Sequence, residues 1–342
     1  MGCNLRDLAQ PETLELSELA GQKIGVDAFL TAYQFLTTIR DRSPEGDGGP
    51  LKASNGKVVS HLMGFLNRTT TLLAAGIKPV FIFDGKPPEL KADEIAMRKA
   101  RRDEARAVHQ QALEAGDFAL AQKMAQRIIS YTPEMVAETK QLLDLLGVPW
   151  VDAAAEGEGQ AAVMATLGQL DAVATQDWDA LLYGSPVLIR NMMTAGNKSH
   201  GRVVKAQKII LNDLLSEHQL TKEQLIDLAI MIGTDFHPGI KGIGPKTGIK
   251  LIKQFGDIET ICQEKGKDVP ERLDEIRAIF HNHPSTKVAN DKLQMGQVDV
   301  AGLQQFLQVD RQFSQRRMDN AMEKLKQAGL IRESGQTSLF SF

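Results

Sequence analysis

Five short apolar runs set the strongest limit on what this chain can fold into. They are Lys23-Ile24-Gly25-Val26, Pro79-Val80-Phe81-Ile82-Phe83, Val148-Pro149-Trp150-Val151, Ala172-Val173-Ala174 and Val187-Leu188-Ile189. Turn residues bound each run, the pattern of buried strands. Helical stretches lie between them, notably Ser60 to Ala75 and Pro133 to Leu146, the second stopped by Gly147. Strands alternating with helices predict an α/β fold, a mostly parallel central sheet with helices on both faces. From Leu220 the strand pattern ends and helices follow one another to about Gln327. Ser43 to Gly56, with five glycines or prolines before Asn55-Gly56, reads as a loop, and Thr194 to Gly201 as a polar turn. Lys91 to Arg127 has good helix formers but mostly alanine as apolar content, and Gly116-Asp117 divides it. Such a helix pair is predicted to bury little and to project into solvent.

Acids punctuate the strand ends. Asp27 follows the first run, Asp84 the second, and Asp177 and Asp179 lie just beyond Ala172-Val173-Ala174. Glu156 and Glu158 open a helix after another strand, and Asp235 ends an apolar helix. One such acid alone is ordinarily a turn residue or helix cap. Several at strand ends differ, because the carboxyl ends of an open α/β sheet form its usual active-site crevice. Carboxylates gathered there repel one another unless cations intervene. An oxygen-only set without His or Cys suits magnesium or manganese rather than zinc. Two such ions can activate water and stabilise the leaving oxygen of an in-line phosphodiester displacement.

Composition fits this once the acids are placed. With 342 residues, about two domains are expected. The formal charge is −3, which looks wrong for a nucleic-acid binder. Setting the seven acids aside leaves 36 acidic against 40 basic residues, a mildly basic surface compatible with a phosphate backbone. Two cysteines, Cys3 and Cys262, cannot build a disulfide framework or a four-thiolate zinc site. The opening residues lack a signal-peptide core, and no apolar run approaches a membrane span.

Gly239-Ile240-Lys241-Gly242-Ile243-Gly244-Pro245-Lys246-Thr247 precedes a helix carrying Ile249, Leu251, Ile252 and Phe255. Apolar residues flanking a tight glycine turn, with Pro at the first helical turn, form the helix–hairpin–helix pattern. Its backbone amides and the following helix N-terminus can hold a phosphate without reading sequence, and Lys241, Lys246, Lys250 and Lys253 surround it. Lys91 and Arg98, seven residues apart, share one helical face shortly after Asp84. A solvated charge face and a phosphate clamp are both open readings of that pair.

Phe83-Asp84-Gly85-Lys86-Pro87-Pro88, the Glu156-Gly157-Glu158 pair, Thr175-Gln176-Asp177-Trp178-Asp179 and the glycine hairpin together resemble the flap endonucleases, structure-specific 5′ nucleases of replication and repair. The resemblance runs from Gly2 to the last residue. It implies that Asp27, Asp84, Glu156 and Glu158 serve one metal and Asp177, Asp179 and Asp235 the other. Two Mg2+ ions are implied, with Mn2+ as a substitute, and K+ at the hairpin through carbonyls including those of Ile240 and Ile243. Lys91 and Arg98 match the family's basic pair at the base of a helical arch, where they contact the scissile phosphate. The arch would be the projecting helix pair, passed by a 5′ single strand. Tyr33 matches an aromatic that stacks on a base, with a half-buried core tyrosine as the alternative. Gly2, Arg40, Arg68, Lys241, Gly242, Gly244 and Lys246 are implied DNA contacts.

The tail Gln336-Thr337-Ser338-Leu339-Phe340-Ser341-Phe342 resembles a sliding-clamp box. Gln336, Leu339, Phe340 and Phe342 would bind the clamp, less tightly because the chain ends at the first aromatic of the usual pair. Gly157 and Gly159 stand where the family commonly has alanine, which predicts a looser helix start. The resemblance implies a monomeric, archaeal-type cytoplasmic enzyme that cuts 5′ flaps in branched DNA, with weaker 5′-3′ exonuclease activity. A junction resolvase or gap endonuclease shares the chemistry, and the clamp-like tail favours the flap enzyme. The expected organisation is a nuclease region over 1–90 and 133–235, the arch over 91–132, a helical DNA-binding portion over 236–328 and a tail over 329–342.

Overall fold

The computed structural model describes residues 3–43, 46–199 and 201–332. The apolar runs form the middle of a mixed sheet. In chain order its strands are β1 (Glu12–Leu14), β2 (Lys23–Asp27), β3 (Lys78–Phe83), β4 (Trp150–Asp152), β5 (Ala172–Ala174) and β6 (Val187–Arg190). A small hairpin of β7 (Lys198–Ser199) and β8 (Arg202–Val203) follows, so the expected polar turn at Thr194 to Gly201 in fact includes a strand. The last strand of the main sheet is β9 (Ala206–Ile210). Across the sheet the order is β1-β9-β6-β5-β2-β3-β4. The five strands from β6 to β4 run parallel, while β9 and β1 pair antiparallel at one edge.

Alternation along the strands explains why both faces are covered. On β3, Val80 and Ile82 join one core with Ala161, Ala162 and Met164, whereas Phe81 and Phe83 join the other with Phe65 and Leu142. Phe81 packs edge-on to Phe65 at 5.3 Å. On that second face lie α1 (Ala28–Thr38), α2 (Ser60–Ala74) and, later, the last helix among the described residues.

Next come α3 (Ala92–Glu114) and α4 (Phe118–Ala125), divided at Gly116 as the sequence predicts. The pair is only partly free. α3 buries just Ala105 and Ala112, but α4 buries Ala121, Met124 and Ala125. The glycine-rich loop anchors α4: Arg40 donates to the carbonyls of Gly48 (3.0 Å) and Gln122 (3.3 Å), and the Gln122 amide donates to the Ser43 carbonyl at 3.0 Å. Gly48, at φ +70°, lies so near α4 that a Cβ would stand 2.5 Å from the Cα of Gln122. Alanine packing, Met124 and this loop hold that end of the helix pair.

The remaining helices are α5 (Pro133–Leu145), α6 (Gly157–Thr166), α7 (Asp179–Leu182), α8 (Leu211–His218), α9 (Lys222–Ile232), α10 (Pro245–Phe255), α11 (Ile258–Lys265), α12 (Leu273–His281), α13 (Val300–Leu303) and α14 (Gln315–Gln327). Arg277 of α12 bonds buried Asp227 of α9 at 2.7 and 2.8 Å and Glu259 of α11 at 2.6 Å, tying three helices together. From β2 the chain moves outward through β3 to β4, then returns to β2's other side for β5 and β6. This switch of direction leaves a crevice over the strands' carboxyl ends.

Candidate active site

All seven sequence-picked carboxylates face that crevice. Asp27 is the last residue of β2 and Asp84 directly follows β3; Glu156 precedes α6, and Glu158 lies in its first turn. Asp177 follows β5, Asp179 opens α7, and Asp235 lies just past α9. Together with Tyr33, Lys91 and Arg98 they line a cleft of about 380 Å³. Several also act locally. Asp27 caps α1 by accepting the Leu30 amide at 2.8 Å, and Asp84 accepts the Gly157 amide at 2.7 Å. The cap and the cleft acid are therefore one side chain, not alternatives.

The crowding shows in the acidities. Burial, then the charges of Asp84 and Asp177, push Asp27 up to about 8. Burial and Asp177 likewise push Asp179 up to about 7, against a 2.7 Å bond from the Cys3 amide. Glu158 is raised well above the carboxylate range by burial and by Asp177. Asp84 opens to the cleft, yet the protein around it costs enough solvation to raise it, and Glu156 adds to the rise. Asp235 goes the other way: burial would raise it, but Lys91 and Arg98 outweigh that and hold it low.

The cleft's own cations do part of this neutralising. Lys91 Nζ sits 2.5 Å from Glu156 Oε1 and 2.8 Å from Asp235 Oδ2. Arg98 donates to Asp235 at 3.0 Å and to Glu94. Among the described residues, no group of three or more carboxylate, His or Cys side chains is drawn together tightly enough to hold an ion as it stands. The donor chemistry nevertheless fits a hard divalent cation. All the acids are oxygen donors in one cleft, and the charged forms of Asp27, Asp84, Glu158 and Asp179 are disfavoured until positive charge arrives.

The other expected residues fall out unevenly. Tyr33 lines the cleft and also an adjoining cavity of about 710 Å³ bounded by Arg98, Arg102 and Met124 of α3 and α4. Gly239 and Gly242 take φ of +88° and +91°, and Lys241 and Lys246 are exposed around the turn between α9 and α10. Arg40 is half-buried and committed to the loop carbonyls described above. Arg68 is a correction. It is only 7 % exposed, and its guanidinium donates to the carbonyls of Ala195 (2.8 Å) and Met192, so it braces a loop instead of facing DNA. Its period on α2 explains this, since it lies three and four residues from buried Phe65 and Leu72. Gly2, Gln336, Leu339, Phe340 and Phe342 lie outside the described residues.

Sequence reasoning missed the groups that hold the acids. Thr175 Oγ1 donates to Glu158 at 2.5 Å, and the Tyr183 hydroxyl donates to Glu156 Oε2. Burial, then Glu156, pushes the Tyr183 phenol well up, so it stays a donor. The two glycines at the start of α6 also have a packing reason. A Cβ at Gly157 would stand 2.8 Å from Asp84 Oδ1, and one at Gly159 2.4 Å from the His283 ring, so both are close-approach positions.

The class of protein follows from sheet and cleft together. Residues 4–105 match the XPG N-terminal domain and residues 147–235 the XPG I-region, and the two matches together contain all seven acids. The solved catalytic core of Rad2 in complex with DNA substrate shares the fold, with a TM-score of 0.68 at 23% identity over 94% of this chain and 97% of that one. Flap endonuclease-1 from Methanococcus jannaschii is more similar: TM-score 0.73 and 34% identity, over 96% of this chain and 98% of that structure. Flap endonuclease 1 of Methanosarcina barkeri is 43% identical over 332 residues, 95% of this chain and 96% of the relative. The chain belongs to the flap endonuclease 1 family. Its activity is that of a structure-specific 5′ flap endonuclease, a phosphodiester hydrolase of a metal-dependent family.

Proposed function

We propose that the cleft binds two Mg2+ ions, with Mn2+ able to substitute, and cuts DNA at the junction of a 5′ flap, with weaker 5′-3′ exonuclease action. The observation that carries this is the convergence of seven carboxylates from four strand ends and α9 on one cleft, faced by Lys91 and Arg98. Asp27, Asp84, Glu156 and Glu158 would hold one ion and Asp177, Asp179 and Asp235 the other. Bound there, the ions supply an activated water and neutralise the leaving oxygen, which leaves a 5′-phosphate.

The protein's own groups do the rest. Lys91 and Arg98, now held by carboxylates, exchange those partners for the scissile phosphate and stabilise the charge that builds on it. Tyr33 offers a base a stacking face between the cleft and the cavity beside α3 and α4. The helix pair over 91–132 is the arch, passed by the single strand, and 236–328 grips the duplex. There the amides of Gly242 and Gly244 and the N-terminus of α10 face a phosphate, with Lys241 and Lys246 beside them. K+ would bind carbonyls of the same turn, including Ile240 and Ile243. Recognition is of backbone and shape, so sequence preference is slight.

The remaining partners rest on sequence. Gln336, Leu339, Phe340 and Phe342 fit a sliding clamp. We read the enzyme as a cytoplasmic monomer; no helix among the described residues is long and apolar enough to cross a membrane. The central test is Asp177→Ala, assayed for flap cleavage and flap binding side by side. Cleavage is expected to vanish while binding persists, because the duplex contacts lie elsewhere. Cutting near the wild-type rate would overturn the metal assignment.

A further inference from the structure

The two oxygens of Glu156 have partners of opposite character. Oε1 meets the Lys91 ammonium at 2.5 Å, on a half-buried side chain that also pairs with Asp235. An arriving phosphate can draw that cation away. Oε2 accepts the hydroxyl of Tyr183, which cannot leave. Tyr183 is 6 % exposed, and its amide donates to the Asp179 carbonyl at 3.0 Å. Its ring lies 5.1 Å from Phe280 and 5.0 Å, edge-on, from His283.

Both backing rings come from the C-terminal helical region. Phe280 is on α12 and packs on Phe236 at 5.6 Å; Phe236 in turn lies under Lys91. His283 is 8 % exposed, and neither ring nitrogen has a hydrogen-bond partner among the described residues. Shape alone therefore fixes it, in the space that Gly159 leaves by lacking a Cβ. Phe236 packs on Phe280, and Phe280 and His283 each pack on Tyr183, whose hydroxyl ends on one carboxylate oxygen of Glu156.

We propose that Tyr183 is a positioning residue, held by Phe280 and His283, that pins Glu156 Oε2 so that Oε1 is presented to a divalent cation; this rests on the carboxylate cleft being the metal site. A carboxylate with both oxygens unheld rotates and must be ordered when a cation binds. One already held by a neutral donor loses less freedom, and partners of this kind typically alter metal affinity by about 10–100-fold.

The test is Tyr183→Phe, which keeps the ring and its packing and removes only the hydroxyl. Mn2+ binding to the DNA-free protein is followed by electron paramagnetic resonance, and flap cleavage is followed across a Mg2+ titration. The expected result is about tenfold weaker Mn2+ binding and a matching rise in half-saturating Mg2+, with flap KM unchanged. In a Glu156→Gln background, Tyr183→Phe should add no further loss. Mn2+ affinity and Mg2+ dependence indistinguishable from wild type, or a full further loss in the Glu156→Gln background, would overturn the assignment. Asp177→Ala run alongside separates the two levels. If it loses Mn2+ and cleavage while Tyr183→Phe does not change, only the role of Tyr183 fails. If it too binds and cuts normally, the metal site itself is misplaced.

Discussion

Gly159→Ala should change sign with its neighbour. A Cβ built on Gly159 stands 2.4 Å from Cδ2 and 2.5 Å from Nε2 of His283, well inside van der Waals contact. His283 is buried between Gly159 and Tyr183 and has little room to retreat. Overpacking of this kind costs ~1–3 kcal/mol, while alanine for glycine in a helix returns up to ~1 kcal/mol. The net expectation is a loss of about 1–2 kcal/mol. Removing the ring by His283→Ala destabilises by itself, through the cavity left behind. In that background, however, the clash is gone and only the helix gain remains, so Gly159→Ala should now stabilise by up to ~1 kcal/mol. Urea denaturation of the four proteins without metal gives the cycle directly. The same sign for Gly159→Ala in both backgrounds, or a coupling below about 0.5 kcal/mol, would refute the close-approach account of this glycine.

Lys91→Ala and Arg98→Ala should lower the single-turnover cleavage rate far more than flap affinity, because charge that develops in the transition state is felt in the rate; equal losses would indicate a basic face that merely aids association. Metal-free stability should fall as pH rises from about 5 to 8, since Asp27 (about 8) and Asp179 (about 7) hold protons in the folded state that the unfolded chain, with aspartates near ~3.9, has already released. Saturating Mg2+ should flatten that slope in thermal melts, and a level or rising profile in chelator would contradict the crowding described here. Deleting Gln336 to Phe342 should leave flap cleavage intact in isolation and abolish stimulation by the cognate sliding clamp; equal stimulation of the truncated protein would place the clamp contact elsewhere.

What could be read from the chain in advance follows a physical divide. Strands β2, β3, β5 and β6 were legible because each is a continuous apolar run buried on both faces, and Asp27, Asp84, Asp177 and Asp179 stood out because they close or follow such runs. The antiparallel side of the sheet escapes this logic. Glu12–Leu14 at the edge and Ala206–Ile210 beside it carry exposed or half-buried positions and leave no continuous apolar signal. Arg68 misled because the resemblance implied a DNA contact there, although its helical period already set it on the buried face of α2. Tyr183, Phe280 and His283 meet across about a hundred residues of chain, and an aromatic side chain does not announce which carboxylate it will back. The one local trace was the spacing of Gly157 and Gly159, which marks something pressing on the first turn of α6.

The grip of Glu156 and Asp235 on Lys91 has a consequence for the order of events on the enzyme. On the proposed metal assignment, every oxygen that holds the lysine is one a cation must compete for, so the DNA-free protein would bind divalent ions more weakly than its bare carboxylates would. A phosphate that attracts Lys91 removes the competitor, and cation affinity rises as substrate arrives. Linkage makes the effect reciprocal: the factor by which DNA tightens the ions is the factor by which the ions tighten DNA. On that assignment the lysine would act as an interlock, keeping the hydrolytic site poorly loaded with ions until there is a strand in place to cut.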